Sequence, residues 1–208
     1  MSIISQLASS LGRRDEVPNQ ELAKDIARKA DKAAVKELVE NLNNKSKDIQ
    51  NDCIKVIYEI GALNPKLIAD YHAEFATLLD HKNNRLQWGG MTALNVIVLE
   101  KPEVIFKNLS KLVDVAEKGT VITKDNLMAI LTKLCSVAKY SENAFDLFNE
   151  QLSKCPTNQL PMYAENAVPI INEKNKARFI KTLSSRLGDI EKDTKKTRVE
   201  KVIKKLTK

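Results

Sequence analysis

The 208-residue chain is poor in the residues that β-sheet proteins and flexible segments use. It contains only 6 glycines, 6 prolines and 5% aromatic residues, and long runs of β-branched residues are scarce. These shortages argue against sandwiches, barrels and disordered tracts. Alanine, leucine, lysine and glutamate fill most windows of the sequence, and these residues favour helices. With 43% hydrophobic residues, the composition predicts an all-α protein with a sizeable core.

Long apolar runs and an even number of cysteines are also missing. No stretch approaches the roughly 18 consecutive apolar residues that span a bilayer. The charges near the N-terminus follow its apolar part, whereas a secretory signal places them first. The three cysteines, Cys53, Cys135 and Cys155, fit reduced thiols better than a disulfide framework. We therefore expect a cytoplasmic protein that makes no contact with a membrane.

Catalytic and metal-binding patterns are scarce as well. The two histidines, His72 and His81, are too far apart to share one helical face as an i, i+4 zinc pair does. The Gly89-Gly90 pair lies inside a helical pattern and lacks the strand that precedes a phosphate-binding loop. Cys155 has no neighbouring histidine in the sequence to activate its thiol. The sequence therefore predicts no enzyme activity, no metal and no cofactor.

A helical period is clearest in the stretch from Asp80 to Leu99. At about 100° per residue, one face of this stretch carries apolar and small residues, namely Leu86, Gly90, Ala93, Leu94 and Ile97. Trp88, Thr92 and Asn95 fall on the opposite face. Similar stripes begin at residues 49, 127, 160 and 199, so the spacing is about 33 to 41 residues, which is typical of helical repeat proteins.

Further apolar stripes lie between these helices and complete a series of helical hairpins. Pro65 and Pro102 stand where the first turn of a helix accepts proline. The hairpins predict five repeats within a single domain of residues 1–208, at 32–64, 65–101, 102–140, 141–173 and 174–208. Residues 1–31 are expected to form lead-in helices. Two interpretations are open for the first 19 residues, a short docked helix or a frayed terminus.

The stretch from Asp80 to Leu99 resembles the HEAT and armadillo-like repeat superfamily. Asp80 precedes Arg85, and small residues then lead to Leu94, which is similar to the family's aspartate, arginine and Ala-Ala-x-Ala-Leu pattern. Asp48 and Asp125 begin weaker copies of it. The resemblance covers about residues 32–208 and describes packing rather than chemistry. It implies a right-handed α-solenoid of about five HEAT-like hairpins that serves as a binding or scaffold protein.

The resemblance also implies that the second helices of the hairpins line a concave face. The side chains opposite their apolar stripes are then the candidate partner-binding residues: Tyr58, Trp88, Thr92, Asn95, Lys133 and Tyr140. This surface contains aromatic, amide and basic groups and no carboxylate, which suits an anionic or extended partner. We expect a protein segment there. The alternative for Tyr58 and Trp88 is packing between repeats, and Gly89-Gly90 could serve close packing or the approach of a ligand.

Positive charge is concentrated at the C-terminal end. Residues 174–208 hold 13 lysines and arginines against 4 acidic residues, whereas the first 173 residues hold 21 against 23. The candidate nucleic-acid contacts are the basic residues of the last helix: Arg198, Lys201, Lys204, Lys205 and Lys208. Clustered cations of this kind can neutralise phosphates. A solvated outer face of the terminal repeat is the other interpretation.

The chain also resembles alkylpurine DNA glycosylases of HEAT-like fold in size, repeat number and charge. Those enzymes hold damaged DNA with tryptophans, a catalytic aspartate and an arginine. Trp88 is the only tryptophan here, and the predicted concave face contains no aspartate or arginine. We therefore expect a non-catalytic binding protein, with nucleic-acid binding as the alternative function.

Overall fold

The computed structural model describes residues 2–207, and none of them forms a β-strand. The all-α prediction is therefore confirmed for this part of the chain. The α-helices are α1 (Val17–Lys29), α2 (Lys32–Glu40), α3 (Lys47–Leu63), α4 (His72–Thr77), α5 (Asn84–Val96), α6 (Pro102–Lys107), α7 (Leu109–Lys118), α8 (Val121–Cys135), α9 (Ser141–Lys154), α10 (Leu160–Ala167), α11 (Lys176–Arg186) and α12 (Asp193–Leu206). Among these described helices, none is both long and apolar enough to cross a membrane.

The chain divides into two compact units, residues 1–127 and 128–208, and α8 runs across the boundary. In the first unit α3 packs against α1, α2 and α5, and α5 also packs against α4. In the second unit α9 packs against α11, and α10 packs against α12. In the pairs α3–α5 and α10–α12, a second helix thus contacts the second helix of the next predicted hairpin, as in stacked repeats. The repeat boundaries and the single domain stay predictions.

Polar residues at the turns determine where several of these helices begin. The Asp31 carboxylate accepts a hydrogen bond of 2.9 Å from the Ala34 amide at the start of α2. The Asn83 side chain accepts one of 3.0 Å from the Arg85 amide at the start of α5. Such caps satisfy amides that have no partner within the helix. The left-handed backbone of Ala30, at φ 52°, ends α1 one residue before the first of these caps.

The N-terminal segment is docked on the first unit, which decides between the two interpretations of the sequence. Leu7 and Ala8 are buried. The Ala8 amide donates to the Asn19 side chain at 2.9 Å, and the Ser9 amide donates to Asp52 of α3 at 2.8 Å. Asn19 in turn donates to Asp52 at 2.8 Å. These bonds satisfy backbone groups that burial would otherwise leave unpaired.

The predicted apolar face of α5 is buried in the structure at Leu86, Gly90, Ala93 and Leu94, and Ile97, which follows the helix, is buried as well. The apolar stripe that begins at Leu127 continues in register to Ala138 and predicts a buried helix that far. That prediction is wrong at its end, because α8 stops at Cys135 and Ala138 is exposed. In α12 the predicted apolar stripe of Val199, Ile203 and Leu206 missed Val202, which is buried like Val199.

Close packing explains the glycine pair in α5. A Cβ atom added to Gly90 would lie 2.8 Å from the Leu78 Cβ and 2.9 Å from the Phe75 carbonyl oxygen. One added to Gly89 would lie 2.5 Å from the Ile54 Cγ1. Atoms that are not bonded clash at these distances, so the neighbouring residues would have to move to admit a side chain. Glycine at these positions therefore lets α5 approach α3 on one side and the α4 region on the other.

Candidate functional site

The solvent-facing sides of α3 and α5 bring the two predicted aromatic residues together. The rings of Tyr58 and Trp88 lie 6.0 Å apart between centroids and are tilted by 49°, a separation typical of attractive aromatic pairs. Both residues stay half-buried. They pack against each other across neighbouring second helices, as the packing interpretation expects, and neither is fully buried. Binding of a partner by these residues stays a prediction.

Charged side chains surround this aromatic pair. The Lys55 Nζ lies 2.9 Å from Glu16 and 2.7 Å from Glu59, and 5.1 Å from the centre of the Tyr58 ring. Only 9% of the Lys55 side chain is exposed. The prediction of a surface without carboxylates is therefore wrong, because Glu59 lies one helical turn after Lys55 and Glu16 reaches it from the start of α1.

The Glu16 carboxylate joins the two helices, because it also pairs with Arg85 of α5. The Arg85 guanidinium lies 6.0 Å from the centre of the Trp88 ring, within reach of a cation–π contact. We call these six residues the Tyr58–Trp88 cluster: Glu16, Lys55, Tyr58, Glu59, Arg85 and Trp88. Glu59 has a sequence signal, since it follows Lys55 at the i+4 spacing of helical ion pairs. Glu16 has no such sequence signal, because it is far from Lys55 and Arg85 in the sequence.

The protonation states within the cluster follow from these contacts. Burial by itself disfavours the charged form of Lys55, but hydrogen bonds to Glu59 and Glu16 outweigh it and raise the pKa of the ammonium above its ordinary value. Burial also raises the pKa of the Tyr58 hydroxyl, although the nearby Lys55 opposes this. At neutral pH the cluster therefore holds a charged lysine and a neutral tyrosine.

Thr92 and Asn95 lie on the predicted face and are hydrogen-bonded to the next second helix. The Asn95 amide donates to the Asn126 side chain at 2.8 Å, and Asn126 donates to the Thr92 hydroxyl at 3.1 Å. Thr92 itself donates to the Trp88 carbonyl at 2.9 Å. Some hydrogen-bonding groups of Thr92 and Asn95 are thus already paired within the protein. These bonds help to fix the position of α5, which carries Trp88.

The two remaining candidates for partner binding lie in the second unit. Lys133 is half-buried in α8, and burial lowers the pKa of its ammonium. Tyr140 is only 6% exposed, so the prediction that it lies on an open surface is wrong. The helical register counted from Leu127 does not extend to Tyr140, because α8 ends at Cys135 and the chain turns before α9.

The basic residues of α12 are exposed but differ in their partners. Lys201, Lys204 and Lys205 face solvent, and none of them pairs with a carboxylate within residues 2–207. Arg198 makes two hydrogen bonds to Glu165, of 2.8 and 2.5 Å, which raise the pKa of Arg198 and lower that of Glu165. Arg198 is exposed but shares its charge with Glu165, and its role as a phosphate contact stays a prediction. Lys208 lies outside the described residues.

Metal coordination finds no support in the described part of the chain. No group of three or more histidine, cysteine, aspartate or glutamate side chains there is arranged to hold an ion. Burial also raises the pKa of the Cys155 thiol to about 11, which disfavours the reactive thiolate at neutral pH.

The fold is an all-α helical repeat fold like that of armadillo repeat proteins. The chain is similar to a designed armadillo repeat protein in complex with the peptide (KR)4, at 14% identity and a TM-score of 0.69, over 99% of this chain and 98% of that one. It is also similar to a computationally designed armadillo repeat protein for modular peptide recognition, at 15% identity, a TM-score of 0.66 and 98% of each chain. A crystallised engineered protein matches at 19% identity and a TM-score of 0.60, over 99% and 100%. No family model and no curated protein matches the sequence.

Proposed function

We propose that this protein is a non-catalytic repeat scaffold that binds an extended segment of a partner protein along α3 and α5. The observation that carries the proposal is the contact between the half-buried side chains of Tyr58 and Trp88 on consecutive second helices. The fold it shares with designed armadillo repeat proteins, one of them in complex with a peptide, supports it. Aromatic side chains contribute much of the binding energy of many interfaces, since they bring a large contact area with few rotatable bonds.

The surface is held in place before any partner arrives. Ion pairs from Glu16 and Glu59 restrain Lys55 and Arg85 beside the rings, and Thr92 bonds the Trp88 carbonyl. Side chains that are already ordered lose less conformational entropy on binding. A peptide could therefore bind here without rearranging α3 or α5.

We expect Trp88→Ala to weaken binding of peptides selected from a random display library by at least about tenfold, the usual cost of truncating a central aromatic contact. Calorimetric titration of the selected peptides against both proteins measures this loss. Tyr71→Ala is the matched control, because Tyr71 is also half-buried but lies outside the cluster. The circular dichroism spectra of both variants must match that of the wild type, so that the loss of binding is not caused by unfolding. Equal losses in both variants, or the absence of any selected peptide, contradict the proposal.

Nucleic-acid binding by α12 is the second candidate function. Counted along the helix, Lys201, Lys204 and Lys205 fall within one exposed arc, so their ammonium groups can approach the same stretch of a phosphate backbone. Binding of this kind releases condensed counterions and must weaken as salt concentration rises.

We expect the wild type to bind labelled duplex or single-stranded DNA at low salt, and charge reversal of Lys201, Lys204 and Lys205 to glutamate to abolish the binding. Fluorescence anisotropy at low and physiological salt measures both effects. The same reversal at Lys24, Lys45 and Lys66, which are exposed in the first unit, changes net charge equally and should keep most of the affinity. No binding at low salt, or an affinity that does not change with salt, rules this function out.

A further inference from the structure

A row of aromatic and aliphatic side chains crosses three second helices in the first unit. Tyr58 of α3 and Trp88 of α5 are its first two members, with ring centroids 6.0 Å apart. The third is Ile122 near the start of α8, which is 39% exposed although most large aliphatic residues of the described chain are buried. Val121, the residue before it, is exposed as well. Ile122 belongs to the same compact unit as the two rings.

Hydrogen bonds between α5 and α8 place Ile122 beside Trp88. The Thr92 hydroxyl donates to the Trp88 carbonyl at 2.9 Å, and the Asn126 side chain donates to the Ile122 carbonyl, also at 2.9 Å. The same Asn126 amide group donates to the Thr92 hydroxyl at 3.1 Å. Trp88 and Ile122 thus each lie one helical turn before a member of one bonded pair. They therefore border the same seam between the two helices.

The polar side chains at this seam are already paired within the protein. The Asn126 nitrogen donates both of its protons, and its oxygen accepts from Asn95 at 2.8 Å. The Thr92 hydroxyl donates one hydrogen bond and accepts another. A partner at this seam therefore contacts mainly the Trp88 ring and the aliphatic side chain of Ile122.

The charges beside this row are balanced. The two cations and the two carboxylates of the Tyr58–Trp88 cluster all take part in ion pairs with one another, so the cluster has no net charge. On α8 the nearest charged residues in the sequence, Lys124 and Asp125, are again opposite in sign. A charged partner group competes here for ions that already have partners, and these contacts do not offset the loss of its own hydration. An uncharged apolar group has no such cost.

We propose that the partner segment is uncharged and apolar where it crosses this row, and that its side chains pack against Tyr58, Trp88 and Ile122. This inference rests on the proposed function and extends the binding surface from α3 and α5 to α8. Packed helices lie about 8–10 Å apart, so an extended segment that rises roughly 3.3 Å per residue spans three of them with about six residues. Alternate side chains of an extended segment point to the same side. We therefore expect an apolar residue at every second position.

The test uses the fluorescence of Trp88, the only tryptophan in the chain. The probes are three end-blocked hexapeptides in which serine alternates with leucine, lysine or glutamate, titrated at low salt. We expect the leucine peptide to cause a saturable blue shift of the emission, because its side chains replace water beside the indole ring. The other two peptides should bind at least tenfold more weakly. A charged peptide that binds as tightly as the leucine peptide, or no saturable response to the leucine peptide, overturns the proposal.

Ile122→Ala is the decisive variant, since it shortens an exposed side chain and leaves the Tyr58–Trp88 cluster intact. We expect calorimetric titration to show that the affinity for the leucine peptide falls about fivefold, because less apolar surface is buried on binding. Leu63→Ala is the matched control, because Leu63 is an exposed aliphatic residue at the end of α3, beside Lys24 and Arg28 of α1. Both variants should keep the circular dichroism spectrum of the wild type. Equal losses in the two variants, or no loss in Ile122→Ala, overturn the assignment of Ile122.

Glu59→Gln tests the role of the balanced charges. This variant gives the cluster one net positive charge, while Lys55 keeps its ion pair with Glu16 at 2.9 Å. We expect the glutamate peptide to bind the variant at least fivefold more tightly than it binds the wild type, and the affinity of the leucine peptide to stay unchanged. No gain for the glutamate peptide overturns the conclusion that the balanced charges exclude an acidic partner.

The two proposals fail in different ways. If library peptides need Trp88 but carry charges at alternate positions and bind Ile122→Ala normally, the apolar row is wrong and the peptide surface stands. If the leucine peptide loses affinity in Ile122→Ala while calorimetry shows that Trp88→Ala binds library peptides normally, the apolar contact stands and the peptide surface along α3 and α5 is wrong.

Discussion

Gly90→Val is expected to destabilise the protein by about 3 kcal/mol, at the upper end of the range for overpacked cores. The Cβ would lie 2.9 Å from the Phe75 carbonyl oxygen and 2.8 Å from the Leu78 Cβ. Neither atom is the mobile end of a side chain, so backbone must move to admit it. The two methyl groups of valine enlarge this displacement. The modest gain in helix propensity over glycine, below about 1 kcal/mol, cannot offset it.

Urea unfolding of wild type and variant at pH 7 measures this effect, with a lower midpoint expected at an unchanged m-value. Gly188→Val is the matched control, since nothing lies within 4 Å of a Cβ added there and its backbone is not left-handed. The control should stay within about 0.5 kcal/mol of wild type, as most exposed substitutions do. Equal urea midpoints for Gly90→Val and Gly188→Val would show that the packing around Gly90 accommodates a larger side chain.

The free energy of unfolding is expected to fall steeply above pH 9. Burial, assisted by the charges of Asp52 and Glu37, raises the pKa of Cys53 from its ordinary value near 9 to about 12. Burial also raises the pKa of Cys135 to about 12. Between about pH 9 and pH 12 the unfolded chain loses thiol protons that the folded chain keeps. Stability therefore falls with pH, by about 1.4 kcal/mol per pH unit for the fully buried Cys53 thiol and by less for the partly buried Cys135.

Urea unfolding between pH 7 and pH 11 under reducing conditions tests this expectation, and Cys53→Ala isolates one thiol. The variant loses packing at every pH, because Cys53 is completely buried. Its stability should nevertheless decline less steeply than that of wild type, by about 1.4 kcal/mol per pH unit above pH 9.5. Parallel curves for the two proteins would mean that Cys53 ionises without unfolding.

Local periodicity was enough to predict the all-α fold and the buried face of α5. In α5 the apolar stripe follows from a rotation of about 100° per residue, and that rotation depends only on the backbone of the helix itself. The same reasoning failed at Tyr140, because the sequence pattern does not show that α8 stops at Cys135. A register carried past the end of a helix assigns side chains to the wrong environment.

The candidate site was only partly predictable. Tyr58 and Trp88 were found because they lie opposite apolar stripes. The carboxylates of the cluster were missed, although Glu59 stands at i+4 from Lys55. The pairing of Arg198 with Glu165 of α10 was also missed, because the two residues are 33 positions apart in the sequence.

The sequence by itself determined the all-α fold, the repeat period and the basic C-terminal end, because each depends on composition or on spacing within one or two helices. Only the tertiary structure decided that Glu16 bridges Lys55 and Arg85, and that hydrogen bonds through Thr92 and Asn126 place Ile122 beside Trp88. Glu16 and Arg85 are 69 positions apart. Their meeting depends on how α1, α3 and α5 stack, and side-chain packing between helices sets that stacking rather than any pattern within one helix.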